Sequence, residues 1–400
     1  MNILLFEDNF YNNFGPLTKL RPIHELRTGI YSISDKYQKL FSEDEFYFYH
    51  RAKFNTRYRA KGLKLFSSME DGEEFIAINS RILPDNNLIK YIDLLKSGKS
   101  KYIKNKDNNL LVGMFKTKKE FKTNYTKKTS NSIVPKFNII SYPWDLITSN
   151  GNQIISDLKY IKAEKGWMRK DPEHVILTSS ENIYIKRNAN IRAGVIIDAS
   201  DGPVIIDEKA DIMQNSVIIG PAYIGKGSTV KIGAKIYENT SIGEVCKVGG
   251  EIEGSIIHGY SNKQHDGFLG HAYLAEWCNL GADTNNSDLK NNYSNVKVEL
   301  NGNLIDTGSM FVGLIMGDHS KTGINTMFNT GTVVGIGCNV YGAGFPPRNI
   351  PDFHWGSKEK LVRYPFKRTL ATMITVMARR NKELSKKDKE ILEKIHLKSK

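Results

Sequence analysis

Cysteine is scarce. The chain has three in 400 residues, Cys246, Cys278 and Cys338. Three thiols cannot build a disulfide framework, and their spacing is not that of a metal-ligand set, so a reducing, cytoplasmic setting is expected. No apolar run reaches the roughly 18 residues a membrane span needs, so no membrane insertion is expected. Met1 to Phe10 lacks the basic flank and apolar stretch of a signal segment, and none is expected there. Hydrophobic residues at 40% and charged residues at 25% exclude collagen-like, coiled-coil and disulfide-scaffold classes and describe a soluble globular chain. The length suffices for two to three domains with substantial cores.

Acidic residues are also in deficit, 43 against 57 Lys and Arg, a net charge of +14. The excess is uneven. Residues 101–136 carry ten Lys and two acids, and residues 351–400 carry fourteen basic and six acidic residues. Residues 201–350 are net acidic, with ten basic against fifteen acidic residues. The middle of the chain is therefore no polyanion surface. Without basic-aromatic interleaving or a recognised module on the flanks, nucleic acid is not an expected partner.

What is abundant is glycine, and 23 of the 33 glycines fall between residues 201 and 350. A repeat accounts for this. Every sixth residue from Ile206 is a β-branched aliphatic: Ile206, Ile212, Ile218, Ile224, Val230, Ile236, Ile242, Val248. Two residues before the last seven stand Ala210, Ser216, Ala222, Ser228, Ala234, Thr240 and Cys246, all small. A period of six is the mark of a hexapeptide β-helix, with aliphatics inward and small residues at the corners. The column runs back through Ile197, Ile191 and Ile185, across a three-residue insertion at Asp201–Pro203. After residue 250 it is read as Leu274, Leu280, Val312, Ile324 and Ile336, with Asp318 and Thr330 in the intervening places. Ser255–Leu269 and Thr284–Thr307 break the period and are expected to leave the helix as loops, where solenoids carry chemistry.

Four of the nine histidines lie in this interrupted region: His258, His265, His271 and His319. Neutral imidazole serves as a general base near pH 7 or as a metal ligand. The closest pair, His265 and His271, is six residues apart, unlike the five-residue spacing of the zinc-binding hexapeptide class, the gamma carbonic anhydrases. No metal site is expected.

The order of short motifs carries a resemblance. Ser261-Asn262-Lys263, Gly270-His271, Asn279-Leu280-Gly281-Ala282, Asn291-Asn292-Tyr293 and Phe311-Val312-Gly313 follow one another inside the repeat. This series resembles the acyltransferase domain of the bifunctional N-acetylglucosamine-1-phosphate uridyltransferase / glucosamine-1-phosphate acetyltransferases, over roughly residues 180–345. The resemblance implies acyl transfer from acetyl-CoA to an amino-sugar phosphate at the interface of a homotrimer. It implies His271 as general base, taking a proton from the attacking amine. It implies Lys263, Tyr273, Asn279, Asn292 and Tyr293 as substrate-binding residues, and Ala282 along the groove for the cofactor. The chain departs from the family in places. The stretch from His271 to Asn279 is one hexapeptide shorter, and Leu274 stands where the family has Tyr, with Tyr273 offset by one. The family's Gly-Thr-x-Thr-Cys-Asn reads Asp283-Thr284-Asn285-Asn286-Ser287-Asp288 here, and Leu314 replaces a Ser.

The first 150 residues read as α/β. Met1–Glu7 and Phe75–Asn79 are expected strands, and Leu88–Leu95 has helical spacing. Gly15-Pro16-Leu17-Thr18-Lys19-Leu20-Arg21-Pro22 resembles the Pro-Leu-Thr-x-x-x-Pro stretch of sugar-phosphate nucleotidyltransferases. The loop before it, Asn9–Phe14, lacks that family's glycines and arginine, and Ser80-Arg81 stands where its magnesium-binding Asp is expected, with Asp85 several residues late. The chain as a whole resembles a bacterial group of sugar nucleotidyltransferases with a degenerate N-terminal domain. Arg21, Glu25 and Arg27 are candidate nucleotide-sugar contacts or, alternatively, an ion network supporting the strand. Mg2+ is expected only if this domain is active.

The expected organisation is an α/β nucleotidyltransferase-like domain at 1–145, a helical linker at 146–180, a left-handed parallel β-helix at 181–345 and a basic helical tail at 346–400. Phe345-Pro346-Pro347 is expected to end the repeat. Leu370, Met373, Ile374 and Met377 have helical spacing, and Ser385 and Asp388 form a capping box for a second helix. The expected function is a transferase acting on a sugar phosphate or nucleotide sugar. The alternative is a catalytically lapsed trimer that binds a nucleotide sugar.

Overall fold

The computed structural model describes residues 1–98, 101–107, 109–126, 137–164, 166–167 and 173–399. Part of the expected linker, residues 165 and 168–172, lies outside the described residues. The chain divides into two units. The first comprises Met1–Phe14, Arg21–Leu26 and Tyr31–Ser141, and the second comprises Gly15–Leu20, Arg27–Ile30 and Tyr142–Lys400.

The first unit is built on a six-stranded sheet, in the order Lys64–Leu65, Glu45–Tyr49, Asn2–Phe6, Phe75–Asn79, Leu110–Phe115, Tyr102–Lys104. The first four strands run parallel and the last two join antiparallel. Asn2–Phe6 and Phe75–Asn79 are central and apolar on both faces, as parallel strands covered on two sides must be. The helix Asn86–Lys96 buries Leu88, Ile92 and Leu95, one stripe at helical spacing. Its N-cap is Asp85, whose carboxylate accepts from the Leu88 amide at 2.8 Å. Asp85 is thereby committed to the helix terminus. The helix Lys118–Thr126 drives Phe121 edge-on into Phe6, Phe66 and Phe115.

The second unit opens with the helix Pro143–Ala163, with Pro at its first turn and the Asp145 carboxylate on the Tyr142 amide. The chain then winds into a parallel β-helix. One face is a nine-stranded sheet from Ile183–Ile185 to Asn349–Ile350. The second face runs from Ile176–Thr178 to Phe268–Gly270, and the third from Asn190–Ile191 to Asn262–Lys263. Ile206, Ile224 and Ile242 stack in register on the first face, three hexapeptides apart. Ile212 and Val230 do the same on another face. All eight column residues from Ile206 to Val248 are at most 1% exposed and share one core. Inside the helix the hydroxyls of Ser228, Ser261 and Ser320 accept from the amides of Cys246, Cys278 and Cys338, each one coil further on. Burial pushes the Cys246 and Cys338 thiols up to about 12, so these cysteines fill space.

The structure corrects the reading in three places. Ser255–Leu269 is no loop: it supplies strands Ile256–Gly259 and Asn262–Lys263, and Phe268–Gly270 follows in the ladder. The second interruption does leave the helix, as a hairpin of Lys297–Leu300 and Asn303–Asp306. It leaves the hexapeptide phase unchanged, since Leu274 and Met316 are in register 42 residues, or seven hexapeptides, apart, and the phase shifts earlier, between Val248 and Leu274. Beyond it the inward column is Met316, Thr322, Phe328, Val334 and Val340, and Ile324 is 69% exposed. Ile336 is buried, but in a separate small core with Phe353, Met373 and Leu392. Asp318 and Thr330 therefore do not interrupt the inward column. Finally, Pro346-Pro347 does not end the repeat. The chain rejoins the helix at Asn349–Ile350 and again at His354–Gly356. The helices Phe366–Ala378 and Lys386–Lys398 follow, the second capped by Ser385 on the Asp388 amide. Among the described residues no helix is long and apolar enough to cross a membrane.

Candidate active site

The hairpin excursion leaves and re-enters the β-helix at one point, closed by an antiparallel bridge between Leu289 and Phe311. Both roots of the excursion touch His271. From one side the Asp288 carboxylate meets His271 Nδ1 at 2.8 Å. From the other, Phe311 stacks on the imidazole, with ring centroids 5.0 Å apart and planes at 30°. The His271 backbone is held between coils: its amide donates to Glu253 and its carbonyl accepts from Gly313. Its φ of +42° is unusual for a side chain of this size and needs such support. Asn286 adds to it, its amide group both accepting from the Gly270 amide and donating to the Gly270 carbonyl.

Two glycines make room. A Cβ at Gly270 would lie 2.3 Å from Asp288 Oδ2, and one at Gly254 would lie 3.0 Å from the His271 ring. The chemistry of the pair follows from its geometry. A carboxylate on Nδ1 fixes the tautomer with hydrogen on that nitrogen, so the Nε2 lone pair is the one left to take a proton. The side chain is a quarter exposed, and its Nε2 faces Gly254. Nearby, burial pushes the Glu253 carboxyl up, His271 opposes the shift and Asp288 adds to it. Asp288 was not among the residues singled out from the sequence. Its signal was present all the same: it ends the Asp283–Asp288 segment that departs from the family motif.

The other expected site residues lie elsewhere. Lys263 occupies an inward position of the helix, in register with Val248, and is 1% exposed. Its ammonium donates to the carbonyls of Gly249 and His265, and burial lowers its pKa to about 8. A phosphate would have to displace both carbonyls. Asn279 bridges Asn262 and Lys321 on that same face, its Oδ1 accepting from Asn262, which in turn accepts from Arg380. Ala282 sits at the following corner and is half-buried. Asn292 and Tyr293 are exposed on the excursion, Tyr293 by 68%. Tyr273 is fully buried, and its hydroxyl bonds the Arg27 backbone and His258 Nδ1. Within one chain, then, His271 meets Asp288 and Phe311, while Lys263, Asn279 and Ala282 belong to another face.

Arg21, Glu25 and Arg27 do not share one unit. Arg27 belongs to the second unit, where its guanidinium binds Glu244 at 2.7 Å. Glu25 pairs with Arg57 in the first unit, and Arg21 is buried there.

A magnesium ion in the first unit would need open carboxylate oxygens at the strand ends. Glu7 and Asp8 follow the central strand, but both are taken. Arg51 forks onto Glu7 at 2.8 and 2.9 Å, and the Ile23 amide adds a third donor. Arg81 Nε donates to Asp8 at 2.9 Å, with Asn79 at 2.8 Å and the Phe10 amide at 3.1 Å. Among the described residues no three His, Cys, Asp or Glu side chains converge. These residues do not fit the ion.

Residues 3–166 match the family model described as sugar nucleotidyl transferase. A bifunctional sugar-1-phosphate nucleotidylyltransferase/acetyltransferase of Sulfurisphaera tokodaii is 27% identical over 200 residues, 48% of this chain and 49% of that protein. A bifunctional protein GlmU of Methanocaldococcus jannaschii is 28% identical over 304 residues, 66% of this chain and 70% of that one. The chain thus spans about half the length of the first of these relatives. LpxA from Acinetobacter baumannii, a solved structure, is 15% identical over 54% of this chain and 76% of its own, with a TM-score of 0.24. The chain resembles the bifunctional nucleotidyltransferase/acetyltransferases, as its motifs implied.

Proposed function

We propose that the protein is a transferase whose β-helix moves an acyl group, from acetyl-CoA, onto the amine of an amino-sugar phosphate or nucleotide sugar. The observation that carries this reading is the His271–Asp288 pair at 2.8 Å on the rim of the helix. In this reading Nε2 of His271 takes the proton released as the amine attacks the thioester carbonyl. Asp288 holds the ring and stabilises the imidazolium that forms. The sugar-1-phosphate nucleotidylyltransferase/acetyltransferase relative supports the substrate class.

The reading includes a homotrimer in a cytoplasmic setting. One chain places Asn279 and Ala282 away from the face that carries His271, so a site that uses both sets needs a second copy. The lapsed, binding-only alternative is disfavoured by the ordered His271–Asp288 geometry. The N-terminal unit is nucleotidyltransferase-like, and no magnesium step is assigned to it. The test is thiol release from acetyl-CoA in the presence of glucosamine-1-phosphate and a panel of amino-sugar phosphates. Release that depends on the amine supports the proposal, and none with any acceptor overturns it.

A further inference from the structure

The first unit holds a cavity of about 410 Å³ that the acyl-transfer reading does not use. It opens beyond the ends of Asn2–Phe6 and Glu45–Tyr49, two neighbouring parallel strands. Such strand ends are where open α/β sheets place ligands, and the volume is that of a small-molecule site.

Its wall has a definite chemistry. Glu7 and Asp8 lie at its floor, each neutralised by a guanidinium, Arg51 and Arg81. That leaves Lys118 and Lys122, successive turns of one helix face, as the charge offered to a ligand. Tyr11, Tyr49, Phe66 and Tyr125 supply ring surface, and Arg51 lies flat over Tyr11 at 4.0 Å. His50 lines the cavity too, and both its ring nitrogens are buried without a hydrogen-bond partner among the described residues. A buried imidazole with no partner is costly, and a ligand hydroxyl or phosphate oxygen is what it lacks.

We propose that this cavity binds a phosphorylated small molecule without a divalent cation, Arg51 and Arg81 standing on Glu7 and Asp8 where a metal would otherwise be held. Two fixed guanidiniums balance the carboxylates, and the lysines take the phosphate as point charges. The proposal is independent of acyl transfer by the β-helix.

The test uses the full chain and inorganic pyrophosphate as probe, followed by calorimetry in metal-free buffer, with and without added Mg2+. Lys118→Ala/Lys122→Ala serves as the variant, with circular dichroism confirming its fold because Lys118 is half-buried and its ammonium donates to the Ser67 carbonyl. Binding in metal-free buffer is expected, no tighter with Mg2+, and weakened roughly tenfold or more in the double variant. No binding without Mg2+, a tightening by Mg2+, or an unchanged double variant would each overturn the proposal.

Discussion

His271 and Asp288 are seventeen residues apart in the chain and 2.8 Å apart in space, one coil bringing the carboxylate back beneath the imidazole. Asp288 is nine per cent exposed, so its charge acts on the ring through little water. Phe311 stacks on one face of the ring. His271 and Asp288 thus share one anchor, the neck of the hairpin excursion.

Replacing Asp288 by Asn keeps the shape and removes the charge. Transition-state imidazolium then lacks its counter-ion, so kcat is expected to fall by roughly tenfold or more while KM for the sugar stays put. Steady-state kinetics of Asp288→Asn beside Asp288→Glu checks this. A rise in KM with unchanged kcat would instead make Asp288 a substrate contact.

The identity of the inward column has a stability signature. Ile236 is 1% exposed in the helix core, whereas Ile324 is 69% exposed. Ile236→Ala is expected to cost about 2–5 kcal/mol, and Ile324→Ala no more than about 0.5 kcal/mol. Urea unfolding followed by far-UV circular dichroism measures both. Equal losses would show that Ile324 points inward after all.

A pH dependence follows from two histidines of the first unit. Burial pushes His50 down to about 4, with Glu25 opposing and Arg57 and Arg51 adding to the fall. Burial also holds His24 well below its ordinary value, helped by His50, Arg51 and Arg57. The unfolded chain therefore binds more protons than the folded one between the ordinary value of 6.5 and about 4. Their contribution is complete above pH 6.5 and is lost as the pH falls through that window. The denaturation midpoint of the first unit, read by tyrosine fluorescence between pH 7 and 5, should fall, and His50→Phe should flatten the slope. A midpoint with the same slope in the variant would rule His50 out as a cause.

Much of the fold was legible in the sequence because the β-helix has a strict period and an obligate inward column. Ile206 to Val248 needed no tertiary information. The inward column after the excursion was not legible, since Val312 and Ile324 are apolar as well, although Leu274, Leu280 and Met316 keep one count of six across the hairpin. The strands beyond Pro347 were missed because proline was read as a terminator, although it merely occupies the corner before Asn349 rejoins the ladder. The site was half legible. His271 stood out by its motif, but its partner is fixed by coil stacking rather than by spacing in the chain. Lys263 shows the converse: the motif pointed to a ligand contact, and the helix turns the side chain inward onto Gly249 and His265.

The central claim is that His271 is the general base of an acyl transfer. It is tested most directly by the rate of amine-dependent CoA release in His271→Ala against the unaltered protein, with circular dichroism confirming that both are folded. The account predicts a loss of roughly 10²–10⁴-fold in kcat with the β-helix intact. Equal rates in the two folded proteins would contradict it.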